Sequence, residues 1–282
     1  MTRTDTIGRC GLAGRRTTLG ATHALALPVW LALAAAASAS PAQEAAPDSA
    51  REPVALHVTP GERLTYVVRV ARLGTVGRGS MVVEGPVDVR GTPTYRLHFA
   101  FRTRVGPVRV VNESESWLDV ASGAVLRFRK HERSPLSKHD EAVELYPAER
   151  RWEGADGRGG ASPSAQPMDE LSFIYLLRTL PLAVDSTYRL ERHFDAARNP
   201  VLIRVLGRDT LTTPAGRFPT IVVEMRVTDP RRYRGQGTLR FHLSDDARRV
   251  PVRMESTMPI VGAVTLELES RAPELAAGAT PR

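Results

Sequence analysis

The chain has 282 residues, 39 basic and 31 acidic, with a formal charge of +8 and one cysteine. That length permits one large or two ordinary domains. Setting aside the first 39 residues, with four Arg and one Asp, leaves 35 basic against 30 acidic residues, or +5, too mild an excess to indicate an anionic polymer as partner.

Arg3, Arg9, Arg15 and Arg16 form a basic start, Ala24 to Ala37 is an apolar stretch, and Ala37-Ser38-Ala39 is a small-residue cleavage site. Together they predict a secretory signal peptide over 1–39, too short for a transmembrane span, with Arg15-Arg16 compatible with twin-arginine as well as general export. Cys10 would leave with it, so the mature chain would have no thiol, disulfide or cysteine metal site. No later segment approaches bilayer length, so the mature product is expected to be soluble, in the periplasm or cell envelope. Residues 40–55, rich in Ala and Pro, read as a disordered linker, 56–271 as a single β-rich domain and 272–282 as a frayed tail.

Leu64, Tyr66, Val68 and Val70 alternate with more polar residues as one strand. Gly74, Gly77 and Gly79 predict bends or bulges rather than a phosphate loop, and Gly85-Pro86 is expected to end the next strand. From Thr94 to Arg104 the alternation is clearest: Tyr95, Leu97, Phe99 and Phe101 on one face, Arg96, His98, Ala100, Arg102 and Arg104 on the other. A turn over Val105 to Val108 would place Arg104 opposite Arg109, Arg102 opposite Val111, Ala100 opposite Glu113 and His98 opposite Glu115. Strands follow over Arg109 to Asp119, Val125 to Arg133 and Lys138 to Tyr146, the last two pairing His131 with Asp140. Gly154 to Pro167 reads as a low-complexity loop.

Asp169 to Leu182 is the one predicted helix, capped by Asp169 and stopped by Pro181, with Phe173, Leu176, Leu177 and Leu180 at helical spacing. So apolar a helix is normally buried. Strands are predicted again over Ser186 to Phe194, Val201 to Thr212, Phe218 to Val227, Thr238 to Leu243, Val250 to Pro259 and Ala263 to Arg271. Ile221-Val222-Val223 suggests burial on both faces, and Arg231 to Gly237 is a basic loop. About a dozen strands and one helix give a mainly β, all-β fold class: a large antiparallel sheet, curled or an open barrel, with the helix on its concave side.

Five stretches resemble one exported bacterial family, domain of unknown function 3108: Pro60 to Tyr66, Glu115 to Asp119, the helix through Arg178-Thr179-Leu180-Pro181, Thr213 to Phe218 and Leu243 to Pro251. The resemblance spans roughly Val58 to Arg271 and implies a β-rich periplasmic or surface protein with no assigned activity. The long Gly/Ser loop before the helix departs from many relatives.

Among chemistries, the histidines show no HxH or HExxH spacing, so no metal is expected, and no cofactor motif is present. There is no GxSxG elbow. His98 with Glu115 is the weak catalytic pair, and the same alternation equally describes a wet sheet face bearing ion pairs. Glu113 and Glu115 share that face, as a two-carboxylate glycosidase or an ordinary exposed strand would have them. Arg231 to Arg234 alone does not predict nucleic-acid binding. The reading is a non-enzymatic binding protein for an apolar, lipid-like envelope molecule or for another envelope protein. Leu97, Phe99, Phe101, Phe173, Leu176 and Leu177 are the candidate lining. The rivals are an envelope hydrolase using His98 and Glu115, and a purely structural envelope component.

Overall fold

The computed structural model describes residues 54–71, 73–105, 108–134, 137–229, 235–258 and 262–272. They belong to one compact unit, Pro41–Arg282; a second, Met1–Ser40, lies outside the described residues, as do the predicted signal peptide, nearly all of the predicted linker and tail, and Arg231 to Arg234.

Fourteen strands form one antiparallel sheet. They are β1 (Arg63–Val70), β2 (Gly74–Val89), β3 (Thr92–Val105), β4 (Val108–Asp119), β5 (Val125–Ser134), β6 (Ser137–Tyr146), β7 (Arg151–Gly154), β8 (Gly159–Ala161), β9 (Thr187–Leu190), β10 (Val201–Thr213), β11 (Gly216–Asp229), β12 (Gly235–Ser244), β13 (Pro251–Met258) and β14 (Gly262–Ala272). The spatial order runs from β8 down to β1, then through β14 back to β9, so the first strand pairs with the last and β8 and β9 are the two edges. Between the edges runs a strap, Pro167 and Met168, that bonds to the segment after β9 and to the start of β5. Met168 N–H donates to Arg192 O, Phe194 N–H donates to Met168 O, and Val125 N–H donates to Pro167 O. The result is a curled, mainly β sheet, open along one seam.

The predicted β3–β4 register is the observed one: Arg104–Arg109, Arg102–Val111, Ala100–Glu113 and His98–Glu115 are opposed, and so are His131 and Asp140. Glycine marks bulges, as predicted in β2, where Val76 is the extra residue opposite Val68 and Arg69. Gly85-Pro86 does not end β2. The pair sits in a bulge, and the ladder resumes at Val87 opposite Thr94. Gly85 adopts φ +115°, where an added Cβ would lie 2.8 Å from Thr94 O, so only glycine fits this turn within the strand.

The helix is shorter than predicted. It covers Ser172–Leu177, six residues. Asp169 does cap its opening turn: Leu171 and Ser172 N–H donate to Asp169 Oδ1 at 2.8 and 2.9 Å, and Asp169 N–H donates to Ser172 Oγ at 2.8 Å. That is a reciprocal capping arrangement with Ser in place of the usual Glu. At the far end Thr179 N–H and Oγ1 both bond to Leu176 O, and Pro181 restrains the residue before it, so the chain leaves the helix early. Other corrections concern the loops and edges. The predicted loop Gly154 to Pro167 contains β8 and the turn that pairs it with β7, tied by Gly154 N–H to Arg158 O. The strand predicted from Ser186 shrinks to β9. In β11, Ile221 and Val223 are buried but Val222 is only half-buried, so this run alternates like its neighbours.

The helix fills one end of the concave face. Phe173, Tyr175, Leu176 and Leu177 pack with Leu64, Tyr66, Leu97, Val223 and Phe241 in the main core. Each such apolar side chain stabilises by roughly 1.5–3 kcal/mol. At this end, the base, Arg178 is clamped. Its Nη1 and Nη2 donate to Glu62 Oε2 and Oε1 at 2.7 and 2.8 Å, its Nε donates to Arg248 O at 3.1 Å, and its guanidinium lies 5.3 Å from the Tyr175 ring. Tyr66 Oη donates to Pro251 O at 3.0 Å nearby. Three of the five stretches that carry the family resemblance meet at this clamp.

Candidate functional site

β1, β3, β5, β11 and β13 run from the base toward the opposite end of the sheet, and β2, β4, β6, β12 and β14 return from it. Along the inner face of β3, β11 and β12 burial fades toward that end, whereas on β1 and β14 Val68, Val70 and Val264 stay buried there, with Phe101 and Leu266 packed against them. In β3, Leu97 is sealed whereas Phe99 and Phe101 are half-buried; in β11, Ile221, Val223 and Met225 are sealed whereas Val227 is half-buried. Phe241 and Leu243 give way in the same direction to a half-buried Leu239 in β12. At this end, the open end below, the inner wall is therefore apolar and only partly buried on β3, β11 and β12.

The opposite wall is charged. Across the inner face the register sets Phe99, Ser114, Lys130 and Glu141 in one row, and Phe101, Asn112, Glu132 and His139 in the next. Each row thus runs from an aromatic side chain to ionisable ones. Lys130 Nζ pairs with Glu170. Arg198, from a 3₁₀ turn at Ala196–Arg198, lies 3.1 Å from Glu141, 3.3 Å from Glu170 and 3.8 Å from Asp229. Its guanidinium keeps its proton firmly: burial works against the charge, but Glu141, Glu170, Asp229 and Asp195 outweigh it. Charges this buried persist because they are paired.

Between this cluster and the helix lie two buried titratable groups. Burial raises Asp169 to about 6, despite its bond from Ser116 Oγ and its two capping bonds. Burial also lowers His193 to about 3, helped by the positive charge of Arg198. His193 Nδ1 accepts from Asp195 N–H at 3.1 Å, which makes Nε2 the protonated nitrogen of the neutral ring. That Nε2 is buried without a hydrogen-bond partner, the ring lying against Phe194 and stacked on Phe173.

Of the residues predicted to line a pocket, Leu97, Phe173, Leu176 and Leu177 are closed off from solvent by the core, and Phe99 and Phe101 are half-buried at the open end. His98 and Glu115 are opposed on the outer face, but Glu115 accepts from Arg96 Nε at 3.0 Å and, among the described residues, no hydrogen bond joins it to His98. Sequence reasoning missed Lys130, Glu141, Glu170 and Arg198. Lys130 carried one usable signal, sharing the parity of buried Phe128; its partners lie 40 or more residues downstream. Among the described residues no group of three or more His, Cys, Asp or Glu side chains is placed to hold a metal ion, and no helix is long and apolar enough to cross a membrane.

These features define a class: a curled antiparallel β protein whose own helix fills one end of its concave face. Within that class the chain belongs to the family described as "Protein of unknown function (DUF3108)", whose model matches residues 65–269. No curated protein is similar in sequence. Among solved structures it is similar to a β-barrel-like protein of domain of unknown function DUF1849 from Brucella abortus, at 12% identity and TM-score 0.49, covering 74% of this chain and 96% of that one. It is also similar to a candidate exported protein with a YmcC-like fold from Bacteroides fragilis, at 13% identity and TM-score 0.28, covering 76% and 96%. A third is a candidate lipoprotein from Parabacteroides distasonis, at 12% identity and TM-score 0.29, covering 77% and 98%.

Proposed function

We propose that this chain is an exported envelope protein that binds an amphipathic molecule in the open end of its curled sheet and catalyses no reaction. The observation that carries this reading is the fading burial along the inner face of β3, β11 and β12, which leaves Phe99, Phe101, Val227 and Leu239 half-buried on the same face as Lys130, Glu141, Glu170 and Arg198. An alkyl chain would lie along the first set and a polar head beside the second. Half-exposed aromatic and aliphatic side chains on a concave face lose free energy to water that a hydrocarbon chain would recover, at about 25 cal/mol per Å². Export rests on the basic, apolar and small-residue pattern of residues 1–39.

The test is a titration of the purified chain with a fluorescent fatty acid. Saturable binding is expected, weakened at least about tenfold by Phe101→Glu, which places a charge in the apolar wall. Binding unchanged by that substitution, in a variant with wild-type thermal stability, would remove the open end as the site.

A further inference from the structure

The outer face of the sheet carries a second concavity, unrelated to the interior. Outward side chains of β3 to β6, with the β7–β8 hairpin as one wall, line a groove of about 640 Å³. Its floor is set by register: His98, Glu115, Arg129 and Ala142 lie side by side across four strands.

Most of the charges in and around this groove are paired, and Arg96 holds two carboxylates, Glu84 and Glu115. Glu115 accepts from Arg96, Glu113 pairs with Arg102, Asp156 pairs with Arg158, and Asp140 pairs with Arg133 while lying 2.7 Å from His131 Nδ1. Arg129 has no carboxylate partner among the described residues. Its β4 neighbour Glu115 is turned to Arg96, and its β6 neighbour is Ala142. Instead its guanidinium lies 5.5 Å from the Trp117 ring, which Arg96 and Arg127 also approach, at 5.8 and 5.6 Å. Three cations thus crowd one indole. Glu115 and Glu144 compensate the other two.

We propose that this groove binds a hydrophilic monoanion of sugar size, a polyol carrying one carboxylate or one phosphate, with Arg129 as its anchoring charge. The volume falls within the range of roughly 300–1,000 Å³ usual for small-ligand sites. Ala142, Gly154 and Ala155 leave room beside Arg129. The planar guanidinium matches carboxylate and phosphate oxygens in bidentate fashion, and stacking on Trp117 restrains it before the ligand arrives. The paired Arg and acid side chains around it offer donors and acceptors for hydroxyl groups. Among the cations of the groove Arg129 alone has no carboxylate partner among the described residues, so it is the one placed to take the ligand's negative charge.

Isothermal titration calorimetry of the full purified chain tests this with glucuronate, glucose 6-phosphate and, as the neutral control, glucose. Saturable binding of either acid, with none of glucose, is expected, and the acid that binds more tightly names the anionic group. Arg129→Gln should weaken that binding at least about tenfold, whereas Arg109→Gln, an exposed arginine outside the groove, should not change it. The proposal is overturned if neither acid saturates below about 10 mM, if glucose binds equally, if Arg129→Gln binds as the unaltered chain does, or if Arg109→Gln loses as much.

Discussion

Replacing Asp169 by Asn should change how stability depends on pH, and the sign follows from the site. Asp169 is fully buried, and its carboxyl group is raised from the ordinary 3.8 to about 6, chiefly by burial. Its folded value is therefore the higher one. Between pH 3.8 and about 6 the native state holds a proton that the unfolded chain has released, so this group's contribution is complete below pH 3.8 and is lost as pH rises through about 6. The full difference corresponds to about 3 kcal/mol. Asn keeps the oxygen that accepts from Leu171 and Ser172 N–H, presents an amide to Ser116 Oγ, and does not titrate. The stability of Asp169→Asn relative to the unaltered chain should thus improve by up to about 3 kcal/mol between pH 4 and pH 7.5. His193 contributes an opposite slope, but it is present in both proteins and cancels in the difference. Urea unfolding midpoints at four pH values measure it, with unchanged m-values as the check on two-state behaviour. A difference independent of pH, or one that turns against the variant as pH rises, would refute the reasoning, because it would mean that the three hydrogen bonds hold Asp169 as a carboxylate.

Three further outcomes are expected. Replacing His193 by Gln should shift relative stability toward the variant by about 2 kcal/mol on going from pH 7.5 to pH 5, since His193 is lowered to about 3 and its contribution, complete above pH 6.5, is lost as pH falls; chemical unfolding at the two pH values reads this. Arg178→Met should cost about 3–5 kcal/mol by stranding the buried Glu62 carboxylate, and Arg178→Met with Glu62→Leu should cost less than the single change, read by thermal unfolding. Gly85→Ala should cost about 2 kcal/mol in the same assay, because the new Cβ meets Thr94 O in a backbone region that L-residues avoid.

The β3–β4 hairpin was legible in sequence to the residue, because period-two alternation and a four-residue turn leave one register. The helix was legible as an apolar segment but not in length. Leu180 keeps helical spacing yet is buried from a bend after the helix, as Leu182 is from an extended stretch, and burial alone does not distinguish these from helix. The charged inner wall was not legible. In β5 and β6 both faces carry ionisable residues, as in Arg127 to Arg133, so alternation no longer says which face is inside. What settles it is pairing with Glu170, just before the helix, and Arg198, after it, contacts that arise only when the segments on either side of the helix fold back over β5 and β6. The outer groove was half legible: His98, Glu113 and Glu115 were placed on one face, but the isolation of Arg129 depends on which carboxylates the neighbouring arginines take.

The most direct test of the amphiphile site is native mass spectrometry of the chain purified from a cell-envelope extract without detergent. The account predicts an adduct that extracts into organic solvent and is absent from the Phe101→Glu protein. A clean apo mass that persists after incubation with envelope lipid extract would contradict it.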